Sequence, residues 1–158
     1  MAKKVCLYGI LAAVCMVIGY IEHFISFDFI APGIKIGLAN SVAIILIKQG
    51  RIKGAYAVNI VRILLSALLF SAPSTLIFSL SGGILSMTVM CILSRFNAFS
   101  IVGFSIAGAV THNIAQLLCA ALLLGNGVWY YLPFLLIAAL LSGTLTGIFA
   151  KIVIKKIK

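Results

Sequence analysis

The sequence predicts an all-α, polytopic membrane protein: a bundle of six transmembrane helices with both termini on the cytoplasmic side. Three observations predict it. Of 158 residues, 64% are hydrophobic and only 9% are charged, against about 25% charged in an ordinary soluble domain. The mean hydropathy is +1.29, and the apolar residues fall into runs separated by short polar loops. The cations are concentrated in alternate loops. A soluble chain of this length has no interior large enough for so much apolar surface, so residues 1–158 are read as a single transmembrane domain.

A helix needs about 20 apolar residues to cross the hydrocarbon core. The first span is placed at 5–21, after Lys3 and Lys4. No small-x-small cleavage site precedes a soluble domain, so this run is read as an anchor rather than a signal peptide. The second, at 36–47, is short for a full crossing; it begins in the preceding loop, is tilted, or is partly broken. The others are placed at 54–70, 75–93, 100–124 and 131–154.

The net charge is +10, and ten of the twelve Lys and Arg lie in four places. These are Lys3 and Lys4, the 48–53 loop (Lys48, Arg51, Lys53), Arg95, and the C-terminal Lys151, Lys155, Lys156 and Lys158. Six crossings from a cytoplasmic N-terminus put all of them on the cytoplasmic side, facing anionic headgroups of the lipid bilayer. No aromatic residues are interleaved with them to stack bases, so nucleic acid is not an expected partner. The outer loops 22–35, 71–74 and 125–130 hold a single cation, Lys35, and Trp129, Tyr130 and Tyr131 sit at an outer boundary, as an aromatic belt should. Cys6, Cys15, Cys91 and Cys119 form no CxxC pair or metal-ligand spacing and are read as small packing residues. Small residues recur four apart at Gly9/Ala13, Gly103/Ala107 and Gly143/Gly147. They let backbones approach closely, within the bundle or against another membrane protein.

Several polar side chains stand where lipid-facing residues would be apolar. An ionisable group at bilayer depth costs about 2.5–3.5 kcal/mol on insertion scales and turns toward the bundle interior or a cavity. Arg62 lies eight residues after Gly54, at roughly 12 Å depth for a 1.5 Å rise. Asn59 and Ser66 share its helical stripe. In the fifth span His112 and Gln116 share a face, with Asn113 beside them, and Asn40 lies near the outer end of the second span. The loop EHFISFDFIAPGIK (22–35) holds the only two carboxylates, Glu22 and Asp28, with His23, Phe24, Phe27, Phe29 and Lys35. These residues predict an outer-half pocket floored by Arg62 and Asn59, walled by Asn40, His112, Asn113 and Gln116, and covered by a lid that includes Glu22, His23, Phe27 and Asp28. A network of interhelical hydrogen bonds alone is the competing explanation. With both acids expected near the outer surface, Arg62 needs a ligand anion, a backbone carbonyl or a helix C-terminus as its partner.

Catalysis has little to work with. Two carboxylates cannot supply the aspartate clusters that hold magnesium on a diphosphate, and no GxSxG, HExxH or P-loop pattern occurs. Two histidines without acid or cysteine at ligand spacing make a poor zinc site. The chain is therefore expected not to be an enzyme, to hold no intrinsic cofactor or metal, and to lack an ATP-driven motor of its own.

The run APGIKIGLAN (31–40), the membrane arginine Arg62 and the run GAVTHNIAQLL (108–118) resemble the Gx transporter family, whose members often bear the older label heptaprenyl diphosphate synthase component I. That family is similar to the substrate-binding S components of energy-coupling factor (ECF) transporters, six-helix proteins of the bacterial cytoplasmic membrane. The resemblance implies capture of a small nutrient or cofactor from outside by Arg62, His112, Asn113, Gln116, Asn40, Asn59 and Lys35. It implies as partners a transmembrane coupling protein and two ATPase subunits. Docking would use a small-residue face on the first helix, here Gly9, Ala12 and Ala13, without a clean AxxxA. A guanidinium suits a carboxylate or phosphate, and His112 or His23 could ligate a haem iron, so haem or a flavin is an expected ligand. The alternative is a membrane accessory subunit in quinone or prenyl-lipid metabolism, or in flavin- or quinone-linked electron transfer.

Overall fold

The computed structural model describes residues 2–24, 37–70, 73–96 and 99–157. These form six α-helices and no strand: α1 (Ala2–Phe24), α2 (Asn40–Lys48), α3 (Ile52–Phe70), α4 (Pro73–Leu93), α5 (Ile101–Leu124) and α6 (Leu132–Ile157). A 3₁₀ turn, Asn126–Tyr131, joins α5 to α6 and carries the exposed aromatics Trp129, Tyr130 and Tyr131. Five helices (all but α2) are long and apolar enough to cross a membrane, and only 17–28% of each span is buried in the bundle. Their outer faces present Leu, Ile, Val and Phe, with Leu68 and Leu122 almost fully exposed, which suits lipid and not water. The chain is an all-α, multi-pass membrane protein.

The second span is short, as its sequence indicated. Its helix covers nine residues, about 14 Å at 1.5 Å per residue, or half of a hydrocarbon core about 30 Å thick. Despite its length it is the most buried element, with Ser41, Val42, Ala43, Ile44, Leu46 and Ile47 all inside. It packs against α1, α3, α4 and α6.

Local sequence sets the helix ends. Gly50, at φ +73°, closes α2. The Arg51 N–H donates to Leu46 O and the Gly50 N–H to Ile47 O, both at 2.9 Å, a Schellman motif that satisfies the last carbonyls. Ser100 caps α5, its Oγ accepting from Gly103 N at 3.1 Å. Lys48, in the last turn of α2, lies 4.6 Å from the centroid of the Phe104 ring, and Phe104 is wholly buried. Replacing Lys48 with Met keeps the apolar stem and removes the charge. The expected loss is about 1 kcal/mol, measurable as a lowered unfolding midpoint in detergent.

Glycines set the closest helix approaches. A Cβ on Gly143 would lie 2.8 Å from Ile106 Cα, and one on Gly147 2.8 Å from Val102 Cα, so these α6 glycines serve the α5–α6 crossing inside the bundle. Gly9 has no heavy atom within 4 Å of the equivalent position. Ala12, expected beside Gly9 and Ala13 on a docking face, is buried in the core at 4% exposure. Residues 12 and 13 are about 100° apart on a helix, so the two alanines face different ways, and only Gly9 and Ala13 remain on the outer surface of α1.

Candidate functional site

The polar residues of α3 and α5 meet one step of α4, the glycine pair Gly82–Gly83. On the α3 side, Asn59 is buried and its Nδ2 donates to Gly83 O at 3.4 Å. A Cβ on Gly83 would stand 3.1 Å from Asn59 Nδ2 and 2.5 Å from Ile63 Cδ1. Arg62, one turn along from Asn59, is half-buried, and its Nη2 donates to Asn59 Oδ1 at 3.2 Å. On the α5 side, a Cβ on Gly82 would stand 2.9 Å from the His112 ring and from Gln116 Cγ. Both glycines are therefore seats for polar side chains. A pair of glycines in a helix interior costs about 1 kcal/mol each against alanine, and here the missing side chains admit Asn59 from one neighbour and His112 with Gln116 from the other. The motif SGG at 81–83 was the available sequence signal for this seat.

Glu22 is corrected. Expected in an outer lid, it lies in the last turns of α1 and is buried at 4% exposure. Its Oε1 accepts from the Leu38 N–H, and the neighbouring backbone of Gly37 and Ala39 also favours its charged form. The first turn of α2 is closed by Asn40 N–H to Gly37 O at 2.8 Å and Ser41 N–H to Leu38 O at 2.9 Å. The N–H groups ahead of that turn have no helical acceptor, and they carry the positive end of the helix dipole. A buried carboxylate answers both needs. Cys15 joins the same corner, its Sγ 3.5 Å from Ala39 O. The Glu22 carboxylate and the Arg62 guanidinium lie within electrostatic range of each other. Sequence reasoning missed this because helix α1 runs a turn further than the hydropathy boundary, which carries Glu22 out of the loop.

The remaining predicted residues go elsewhere. Asn113 turns to α6, donating from Nδ2 to Leu135 O at 2.8 Å, and so ties two helices rather than joining His112 and Gln116. Asn40 lines a cavity of about 30 Å³ between α2, α4, α5 and α6, with Ser86, Ser105, Ser142 and Thr146. None of these four hydroxyl residues was singled out from the sequence, where isolated Ser and Thr in apolar runs give little signal. Lys35, Phe27 and Asp28 fall outside the described residues, as does the side chain of His23.

No curated protein and no solved structure matches the chain. A family model does match, over residues 11–153, a stretch that contains Glu22, Arg62, the Gly82–Gly83 seat and the whole of α5. The chain belongs to the heptaprenyl diphosphate synthase component I family.

Proposed function

We propose that the protein is the substrate-binding subunit of an ECF-type importer in the bacterial cytoplasmic membrane, capturing a small nutrient or cofactor from outside. The observation that carries this reading is the Gly82–Gly83 seat. It holds a guanidinium–amide pair and an imidazole–amide pair at one level of a chain that is otherwise lipid-like. Polar groups at such depth usually mark a substrate path. The subunit itself is non-catalytic; the coupling protein and two ATPases supply the work, and Gly9 and Ala13 offer them a small-residue face.

Haem or a flavin remains the proposed ligand class, held by Arg62 and His112. The 30 Å³ cavity cannot be its seat, and an anionic ligand must compete with Glu22 for the guanidinium. The test is binding of a vitamin, flavin and haem panel to purified protein. Arg62→Ala and His112→Ala are each expected to weaken the bound ligand at least tenfold, about 1.4 kcal/mol. A ligand held by both variants as tightly as by the wild type would remove the assignment.

A second reading is a membrane accessory subunit in quinone or prenyl-lipid metabolism, or in flavin- or quinone-linked electron transfer. Co-purification separates the two: a coupling protein with an ATPase pair supports import, and a soluble prenyl synthase supports the second.

A further inference from the structure

Two buried hydroxyls, Ser41 and Ser105, have no hydrogen-bond partner among the described residues, and Ser105 is the one that lines the hydroxyl-rich cavity. Serine and threonine in membrane helices commonly bond back to a carbonyl three or four residues earlier. Here Ser81, Ser86, Thr88, Ser94, Thr111, Ser142 and Thr144 all do so. Ser105 does not. It is 3% exposed, it lines the cavity, and its Oγ has no hydrogen-bond partner among the described residues. A buried hydroxyl left unpaired costs about 1–3 kcal/mol.

The other walls define what would pair with it. Ser86 Oγ donates to Gly83 O at 3.2 Å and Ser142 Oγ to Ala139 O at 3.4 Å. A hydroxyl has one proton, so both oxygens offer the cavity only lone pairs. The occupant must donate to these acceptors and also pair with Ser105. Among the described residues no ionisable side chain lines the space, so a bare cation or anion would meet no countercharge from them, at a high desolvation cost. The cavity volume of about 30 Å³ exceeds the roughly 10–15 Å³ needed to hold a water.

We infer that the cavity between α2, α4, α5 and α6 is a binding site for an uncharged, water-sized hydrogen-bonding molecule, namely an ordered water held by Ser105, Ser86 and Ser142. It pins the buried start of α2, through Gly37 and Asn40, to α5 and α6. The inference does not depend on nutrient capture.

The test is water-edited solid-state NMR on the full chain in lipid bilayers, with water itself as the probe. Transfer from a slowly exchanging water to the Ser105 and Gly108 signals is expected in the wild type. It should fall at least fivefold in Ser105→Ala and persist in Ser105→Thr, which keeps the hydroxyl. Absence of transfer in the wild type, or equal transfer in Ser105→Ala, overturns the site. Replacing NaCl with KCl or choline chloride should leave the unfolding midpoint unchanged; a shift specific to one cation would show an ion in place of water and overturn the assignment. If Ser105→Ala fails to fold, the wild-type and Ser105→Thr spectra and the salt series still decide.

Discussion

Gly143→Ala is expected to cost about 2–3 kcal/mol, and the Gly143→Ala, Gly147→Ala pair to prevent accumulation of folded protein. The added Cβ at 143 meets Ile106 Cα at 2.8 Å and Ile106 N at 3.2 Å, and at 147 it meets Val102 Cα at 2.8 Å. These are backbone atoms of α5, so no side-chain rotation relieves the contact; the helices must separate. Overpacking of a close interface typically costs about 1–3 kcal/mol, and a domain holds only about 5–15 kcal/mol in total. Gly9→Ala supplies the control. The same methyl on α1 meets nothing within 4 Å, and it gains up to about 1 kcal/mol of helix propensity. Unfolding midpoints in detergent read all three. Equal effects at Gly9 and Gly143 would show that backbone entropy, not the α5–α6 contact, sets the cost.

Glu22→Ala is expected to be the most damaging polar substitution, at about 3 kcal/mol. It strips the acceptor from the Leu38 N–H at the start of α2, worth about 1–3 kcal/mol when left unpaired. It also removes a carboxylate that acts electrostatically on the half-buried Arg62, and leaving a partly buried charge uncompensated is costly. Glu22→Gln retains an acceptor oxygen and is expected to lose about 1 kcal/mol. A double-mutant cycle with Arg62→Met isolates the charge coupling: the pair should cost less than the sum of the two singles. Strict additivity would mean that Glu22 acts only as a helix cap.

Five of the six helices were legible because hydropathy averages over many residues, and the boundaries of α3 to α6 fall within a few residues of their sequence placement. The exception has a physical reason. Residues 36–47 are apolar enough for most of a span, but their apolarity reflects burial within the bundle rather than length across a membrane. Hydropathy cannot separate those two causes. The site was legible in part. Arg62 with Asn59, and His112 with Gln116, were placed on shared faces by spacings of three and four, and the structure keeps both pairs. Asn113 was grouped with them by adjacency, although neighbouring residues on a helix diverge by about 100°; it serves α6 instead. Glu22 and Ser105 were beyond a pattern argument, because each depends on which helix end or which neighbour comes close in three dimensions.

The bare step at Gly82–Gly83 also has a mechanical consequence. Glycines in a helix lower the cost of local bending, and sharp kinks gather at such small-residue pairs. The α3 and α5 polar groups rest on that turn, so flexure of α4 would shift both sets of contacts together, whereas alanine at either glycine would push its own neighbour off the seat.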